Sequence, residues 1–260
     1  IRAFKDSNNN YWDTDVENST PIKAKSDDAL NIMRHDMAHI LAEAVITLFP
    51  NAKPTIGPFI KNGFYYDFDM ESTLSDDDLA NIEKKMKEIL LEGRDFLKRA
   101  VTKKEASEIF KDNKYKLELI NNLDNSDEIT LYEQKNFTDL CKGPHHKSTK
   151  NYNASFKITN VSGAYWRGIS TNKMLQRIYA TAWYSEKELR VYLKNLEEAK
   201  ERNHRRLGTD MGLFLLTDLS AGNVFWKDQG LTLYQNIEKY IRSEQQKLNY
   251  FEVKTPELVS

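Results

Sequence analysis

DDALNIMRHDMAHILAEAVITL, residues 27–48, decides the fold because it predicts one long helix around which the other segments are arranged. Asp27 and Asp28 place negative charge at the helix N-terminus, where the helix dipole favours it, and Pro50 ends the run. One stripe is apolar at helical spacing: Leu30, Met33, Met37, Ile40, Leu41, Ala44 and Leu48. A second face carries His35 and His39, which are four residues apart and therefore lie side by side. We expect both imidazoles to have apolar neighbours.

A second pair of reactive side chains repeats this spacing. Cys141 and His145 lie four residues apart in CKGPH (141–145), and Cys141 is the single cysteine of the chain. Together with His35 and His39 they have the types and spacing of a four-ligand zinc site, and equally of a polar hydrolytic pocket. The residues alone leave both interpretations open.

The composition is that of an ordinary globular protein. The 260 residues are 40% hydrophobic and 30% charged, and the chain is long enough to bury a core. A net charge of −1 argues against nucleic-acid binding over the whole surface but permits a local basic patch. A single cysteine excludes an internal disulfide. No apolar run is long enough to span a membrane and no signal peptide is apparent, so we expect a cytoplasmic protein.

Turn and capping signals predict the elements that follow the long helix. Asn62-Gly63 predicts a hairpin, and Ser75 with three aspartates begins a helix that Gly93 ends. A short helix is predicted at 103–112. Aromatic and β-branched content predicts strands; they are 96–102, YKLELI (115–120), ITLYEQ (129–134), SFKITNVSGAYW (155–166) and MLQRIYATAW (174–183). Helices beside an antiparallel sheet make the predicted fold class α+β.

The two ends of the chain differ from the segment between them in their sequence patterns. Residues 1–25 read as a short strand or tail. Residues 186–207 predict a long charged helix that Gly208 ends; a helix at about 231–248 and a strand entering TPELVS (255–260) follow. The chain starts at Ile1 and stops within what reads as a domain, so we expect it to be a fragment.

An ordered set of segments carries a resemblance to a known family. The segments are HDMAH (35–39), IGPFIKNGFYYDFD (56–69), TDLCKGPHH (138–146), SGAYWRG (162–168), NKMLQRIYATAW (172–183), LEEAKERNHRRLG (196–208) and GLTLYQNIEKYIRSEQQKLNYFEVKTPEL (230–258). Together they resemble bacterial-type threonyl-tRNA synthetases over essentially the whole chain. The resemblance implies a tail or remnant of an upstream ubiquitin-like domain at 1–25, an editing domain at 26–185, a linker helix at 186–207 and the truncated start of a class II catalytic domain at 208–260.

The resemblance also implies a function. Serine lacks one methyl group of threonine, a difference worth only about 1–3 kcal/mol in a pocket, so a second site is needed to hydrolyse seryl-tRNA(Thr). The expected partner is tRNA(Thr) mischarged with serine. The full-length enzyme would attach threonine to tRNA(Thr) with ATP and would be a homodimer. ATP, Mg and Zn are expected only in the missing catalytic portion, and no cofactor is expected in this fragment.

By the same resemblance the editing residues are His35, His39, Tyr66, Lys116, Asp139, Cys141 and His145. We expect His35 and Lys116 to orient and polarise the attacking water, with Lys116 on a strand and its pKa lowered by partial burial. Cys141 and His145 would shape the pocket for the seryl group, and Asp139 would hold its ammonium group. His39 and Tyr66 would position the substrate.

Three alternatives remain beside this interpretation. The His/Cys set suits zinc, as in alanyl-type editing domains, although the resemblance favours water without a metal. A Cys141 nucleophile paired with histidine, with Asp139 orienting the histidine, is the second alternative; we disfavour it because the turn at Cys141 has no helix-start signal that would lower the thiol pKa. The third is a tRNA-binding module without activity. Candidate tRNA contacts are Lys200, Arg202, Arg205 and Arg206.

Overall fold

The computed structural model describes residues 3–6, 11–12, 20–124, 129–150, 152–220 and 222–255. The chain divides into two compact units, Ile1–Arg190 and Val191–Ser260. Within the described ranges no helix combines the length and apolar character that crossing a bilayer requires. Helices and antiparallel sheets make up both units, so the predicted α+β class is confirmed.

The long helix, α1 (Asp27–Leu48), has the predicted bounds. The Ser26 hydroxyl accepts a hydrogen bond from the Ala29 backbone N–H at 3.2 Å and thereby caps the helix N-terminus. Met37, Ile40 and Leu41 are fully buried, as the apolar stripe predicts. Before α1, strands β1 (Phe4–Lys5), β2 (Tyr11–Trp12) and β3 (Thr20–Pro21) form a small antiparallel sheet in the order β2-β1-β3. The described part of residues 1–25 therefore contains three short strands.

The main sheet of the first unit packs against α1. Its strands are β4 (Lys53–Pro54), β5 (Phe59–Ile60), β6 (Gly63–Asp69), β10 (Ser155–Tyr165) and β11 (Met174–Trp183). The order is β10-β11-β6-β4, with β5 on β6, and every pair is antiparallel. The predicted hairpin joins β5 to β6, where Ile60 pairs with Gly63. Helix α2 (Asp76–Glu92), capped by Ser75 as predicted, covers the same core.

A second sheet of the first unit supplies the other half of the candidate site. It contains β7 (Leu97–Val101), β8 (Ile129–Gln134) and β9 (Phe137–Leu140), paired antiparallel in that order. Helices α3 (Lys103–Ile109) and α4 (Lys114–Asn121) lie between β7 and β8 in the chain. Ala106, Ile120 and Leu131 join these elements in one buried cluster.

Helix α4 corrects the prediction of a strand at 115–120. The Asn113 side-chain oxygen accepts hydrogen bonds from the backbone N–H groups of Tyr115 and Lys116 at 3.1 and 3.2 Å, which begins a helix. A short apolar run fits either period, so periodicity alone does not separate a strand from a buried helix. The cap decides the outcome, and Lys116 consequently lies on a helix.

The helix predicted at 186–207 is also wrong in part. Helix α5 ends at Glu201 (Glu186–Glu201), and α6 begins at His204 (His204–Asp210). The Asn203 side chain caps α6 by accepting from the Arg205 N–H at 2.9 Å, and this starts a new helix instead of continuing α5. Gly208 does not end a helix; it lies inside α6, where an added Cβ would sit 2.1 Å from the Phe214 ring. The glycine is needed for close packing.

The remainder of the second unit contains two short strands and one long helix. Strands β12 (Phe214–Leu215) and β13 (Phe225–Trp226) pair antiparallel, and α7 (Asp228–Lys247) follows them. The helix predicted at about 231–248 is confirmed with an earlier start. Residues 251–255 carry no strand, and the rest of the predicted strand, 256–260, lies outside the described residues.

Candidate functional site

The two predicted pairs converge in the first unit. α1 carries His35 and His39, while the turn after β9 carries Cys141 and His145. One ligand atom from each of these side chains lies within 4.8 Å of the others. Cys141 Sγ is at the centre, 3.4 Å from His35 Nε2 and 3.2 Å from His145 Nε2. Side chains separated by about a hundred residues in the chain therefore form one cluster.

The other predicted residues extend this cluster inward. Asp139 on β9 forms an ion pair with Lys116 through Oδ1 and accepts a 2.6 Å hydrogen bond from the Tyr66 hydroxyl through Oδ2. His39 Nε2 lies 3.6 Å from Asp139 Oδ2 and so links this group to the His/Cys cluster. Tyr66, Lys116 and Asp139 are all buried. The structure thus brings all seven predicted editing residues together.

Exposure distinguishes an open side of the cluster from a closed one. His35 and Cys141 are half-buried, whereas His39, His145, Lys116, Asp139 and Tyr66 are buried. A substrate or a water molecule approaching the cluster therefore meets His35 and Cys141 first.

Asp36 is the residue that sequence reasoning missed. Its fully buried carboxylate accepts from His145 Nδ1 at 2.7 Å and from His146 Nδ1 at 2.5 Å, and Tyr152 donates to the same group. The available signal was its position inside HDMAH, one residue after His35, together with the two adjacent histidines 145 and 146. The four-residue spacing that singles out His35 and His39 does not include Asp36, so that spacing alone does not predict its contact with His145.

Part of the first unit, including Cys141 and His145, matches a known protein family. Residues 129–179, which run from β8 into β11, match the family described as "Threonyl and Alanyl tRNA synthetase second additional domain". Over 99% of its length the chain is 48% identical to the threonine–tRNA ligase of Wolbachia pipientis subsp. Culex pipiens (strain wPip). Over 95% it is 50% identical to that of Paramagnetospirillum magneticum (strain AMB-1).

The chain is a homologue of part of the threonine–tRNA ligases. It spans 42% of the first relative and 39% of the second. The resemblance to bacterial-type threonyl-tRNA synthetases is therefore confirmed for the part of those proteins that this chain spans, and the relatives themselves are named as ligases. The segment that matches the family description contains Asp139, Cys141 and His145.

Burial and neighbouring charges set the protonation of the cluster. Burial raises the pKa of the Cys141 thiol, but the charges of His35 and His145 and their hydrogen bonds outweigh it, so this pKa lies well below its usual range. Burial lowers the pKa of His145, but the Cys141 charge and the Asp36 hydrogen bond raise it to about 10. Burial and the charge of His145 lower the pKa of His39. These pKa shifts favour an imidazolium at His145 and a neutral His39 at neutral pH, and they favour the thiolate form of Cys141 relative to an ordinary thiol.

Two arguments about the thiol alternative change with the structure. The absence of a helix start at Cys141 does not keep the pKa of its thiol at the usual value, because two imidazoles lower it. We also assigned Asp139 as the residue that orients the histidine. Asp139 is engaged by Lys116 and Tyr66, and Asp36 holds His145 instead.

Zinc fits the residue types better than it fits the spacing. Three histidines and one thiolate are suitable ligands, and the His39 Nδ1 atom is buried without a hydrogen-bond partner. Zn–N and Zn–S bonds of about 2.0–2.3 Å, however, put the ligand atoms of a tetrahedral site roughly 3.4 Å apart. The 4.8 Å span of the cluster exceeds this, so binding would require the side chains to move inward.

The candidate tRNA contacts belong to the other unit. Lys200 is on α5, Arg202 follows that helix, and Arg205 and Arg206 are on α6. All four side chains are exposed. Arg202 pairs with Glu198 at 3.1 Å on the helix surface.

Proposed function

We propose that this chain hydrolyses the ester bond of tRNA(Thr) mischarged with serine. The observation that carries the proposal is the convergence of His35, His39, Cys141 and His145 within 4.8 Å, with partly exposed groups at its open side. The homology to threonine–tRNA ligases supports the choice of substrate, because the missing methyl group of serine gives a synthetic site only about 1–3 kcal/mol of discrimination.

His35 is the proposed group that orients the attacking water. It is half-buried and lies 3.4 Å from Cys141, whereas His39 is buried behind it. Cys141 and His145 lie 3.2 Å apart next to this position, with the pKa of the thiol lowered and that of His145 raised to about 10. We propose that Cys141 offers negative charge to the seryl ammonium group and that His145 offers positive charge to the developing oxyanion. The group of Lys116, Asp139 and Tyr66 supports His39 from the interior.

Deacylation of seryl-tRNA(Thr) tests the proposal directly. The wild-type chain should release serine from seryl-tRNA(Thr) faster than threonine from threonyl-tRNA(Thr). His35→Ala should lower the rate of serine release by about 100-fold or more, because a positioned proton-transfer group is lost. His204→Ala is the matched control, since His204 is exposed on α6 and lies in the second unit. Equal rates for wild type and His35→Ala would remove His35 from the mechanism.

A covalent route through Cys141 is the second candidate. Its favouring observation is the order Cys141 Sγ, His145 and Asp36, joined at 3.2 and 2.7 Å, which is the arrangement of an activated nucleophile. In this route the Cys141 thiolate attacks the seryl ester, the ribose oxygen leaves with a proton given by the His145 imidazolium, and water then hydrolyses the thioester to free serine, which returns a proton to His145 and regenerates the thiolate. Mass spectrometry of rapidly quenched reactions would detect a seryl adduct on Cys141, and full activity of Cys141→Ala would exclude it.

Zinc-dependent hydrolysis of the alanyl type is a further candidate, because four potential zinc ligands are clustered here. Elemental analysis of the purified chain separates the two chemistries. We expect no stoichiometric zinc and no loss of hydrolysis after treatment with a chelator.

The remaining assignments concern the whole protein. We propose tRNA(Thr) as its partner and ATP-dependent threonylation in the cytoplasm, by a homodimer, as its activity. Lys200, Arg202, Arg205 and Arg206 are proposed to contact tRNA phosphates. If they do, replacing them with glutamine should lower both the affinity for tRNA and its dependence on salt.

A further inference from the structure

The Asp36 carboxylate receives four hydrogen-bond donors at the back of the cluster. Oδ1 accepts from His145 Nδ1 at 2.7 Å and from the His146 backbone N–H at 3.2 Å. Oδ2 accepts from His146 Nδ1 at 2.5 Å and from the Tyr152 hydroxyl. A carboxylate has about four lone-pair positions, so every acceptor position of this buried group is used.

The donors on Oδ2 fix the carboxylate, and the carboxylate in turn fixes His145. The His145 ring is stacked on Phe96 with centroids 4.9 Å apart and planes 7° apart, which sets the plane of the ring. Stacking alone does not select one face of the ring, because a 180° flip about the Cβ–Cγ bond keeps the same plane and exchanges the positions of nitrogen and carbon atoms. The hydrogen bond from Nδ1 to Asp36 selects one of the two orientations, the one that directs Nε2 at Cys141 Sγ, 3.2 Å away.

We propose that Asp36 is a positioning residue that holds the His145 ring with Nε2 directed at Cys141. It does not touch the reacting atoms, since His145 separates it from Cys141. This role rests on the proposed hydrolysis at the cluster. A carboxylate that accepts a hydrogen bond from one ring nitrogen of a functional histidine fixes both the orientation of the ring and the position of its proton.

Asparagine at position 36 separates this role from simple burial. An amide offers one acceptor oxygen and one donor nitrogen, so it cannot accept from both histidine side chains as the carboxylate does. If the nitrogen faces His145, the ring loses its Nδ1 proton; if it faces His146 and Tyr152, the anchor on that side is lost. Either outcome releases the Nε2 atom of His145 from its present direction.

The experiment compares Asp36→Asn with Glu43→Gln. Glu43 lies on the same helix, is also buried, and pairs with Arg94 at 2.9 Å without contacting His145. For seryl-tRNA(Thr) we expect Asp36→Asn to lower kcat by about 100-fold or more with little change in KM, because substrate contacts remain. Glu43→Gln should retain kcat even where its thermal midpoint falls. Equal kcat for wild type and Asp36→Asn overturns the proposal.

NMR of the five histidines provides an arm that needs no activity. In wild type, His145 should show a slowly exchanging, downfield Nδ1 proton, and Asp36→Asn should lose it while Glu43→Gln keeps it. A wild-type spectrum without that proton overturns the proposal even if Asp36→Asn does not fold. If wild type fails to hydrolyse seryl-tRNA, the proposed function falls, and the NMR result alone then decides whether Asp36 holds His145.

Discussion

Replacing Lys116 by methionine should destabilise the first unit strongly, because it leaves the Asp139 carboxylate without its ion-pair partner. The Lys116 and Asp139 side chains are 2% and 5% exposed, so water cannot solvate the remaining charge. Removing one member of a buried ion pair typically costs about 3–5 kcal/mol. Asp139 keeps hydrogen bonds from Tyr66 at 2.6 Å and from the Leu140 N–H at 2.8 Å, which places the expected cost near the lower end.

The assay is urea unfolding followed by circular dichroism, with the free energy of unfolding extrapolated to water. The double variant Lys116→Met/Asp139→Asn should be more stable than the single variants predict by addition, by about 2 kcal/mol, because no unpaired charge remains. Lys111→Met is the matched control, because Lys111 pairs with Glu108 on the surface. This variant should have nearly the same free energy of unfolding as wild type. Strict additivity, or a cost for Lys116→Met no larger than that of the control, would refute the reasoning.

Two other predictions concern packing and pH. Gly57→Ala should destabilise the chain by about 1–3 kcal/mol and slow hydrolysis, because the added Cβ would lie 2.1 Å from the Tyr66 ring. Gly163→Ala is the control in both assays, since its Cβ would meet only the Met174 side chain, which can move aside. Equal thermal midpoints for these two variants would contradict it. His145 has its pKa raised from 6.5 to about 10, so its stabilising contribution is complete below pH 6.5 and is lost as the pH rises through 10. The thermal midpoint should therefore fall over this range more in wild type than in His145→Gln, and parallel curves would argue against it.

Local signals were sufficient for much of the fold. The bounds of α1 follow from the Ser26 cap and the apolar stripe, and those of α2 from the Ser75 cap and Gly93, because such interactions span only a helical turn. The hairpin at Gly63 was likewise predictable from its turn residues. The errors at 115–120 and near residue 203 occurred where an asparagine cap began a helix and periodicity favoured another interpretation.

The sequence by itself determined which side chains are available: two pairs at four-residue spacing, on segments whose order matches one family. It also determined that His35 and His39 share a helix face, since helix geometry requires it. Only the tertiary structure decided which groups meet. Asp139 with Lys116, and Asp36 with His145, are contacts across 23 and 109 residues. The pKa of Cys141 depends on its burial and on its contacts with His35 and His145, which act on the thiol only after the chain has folded.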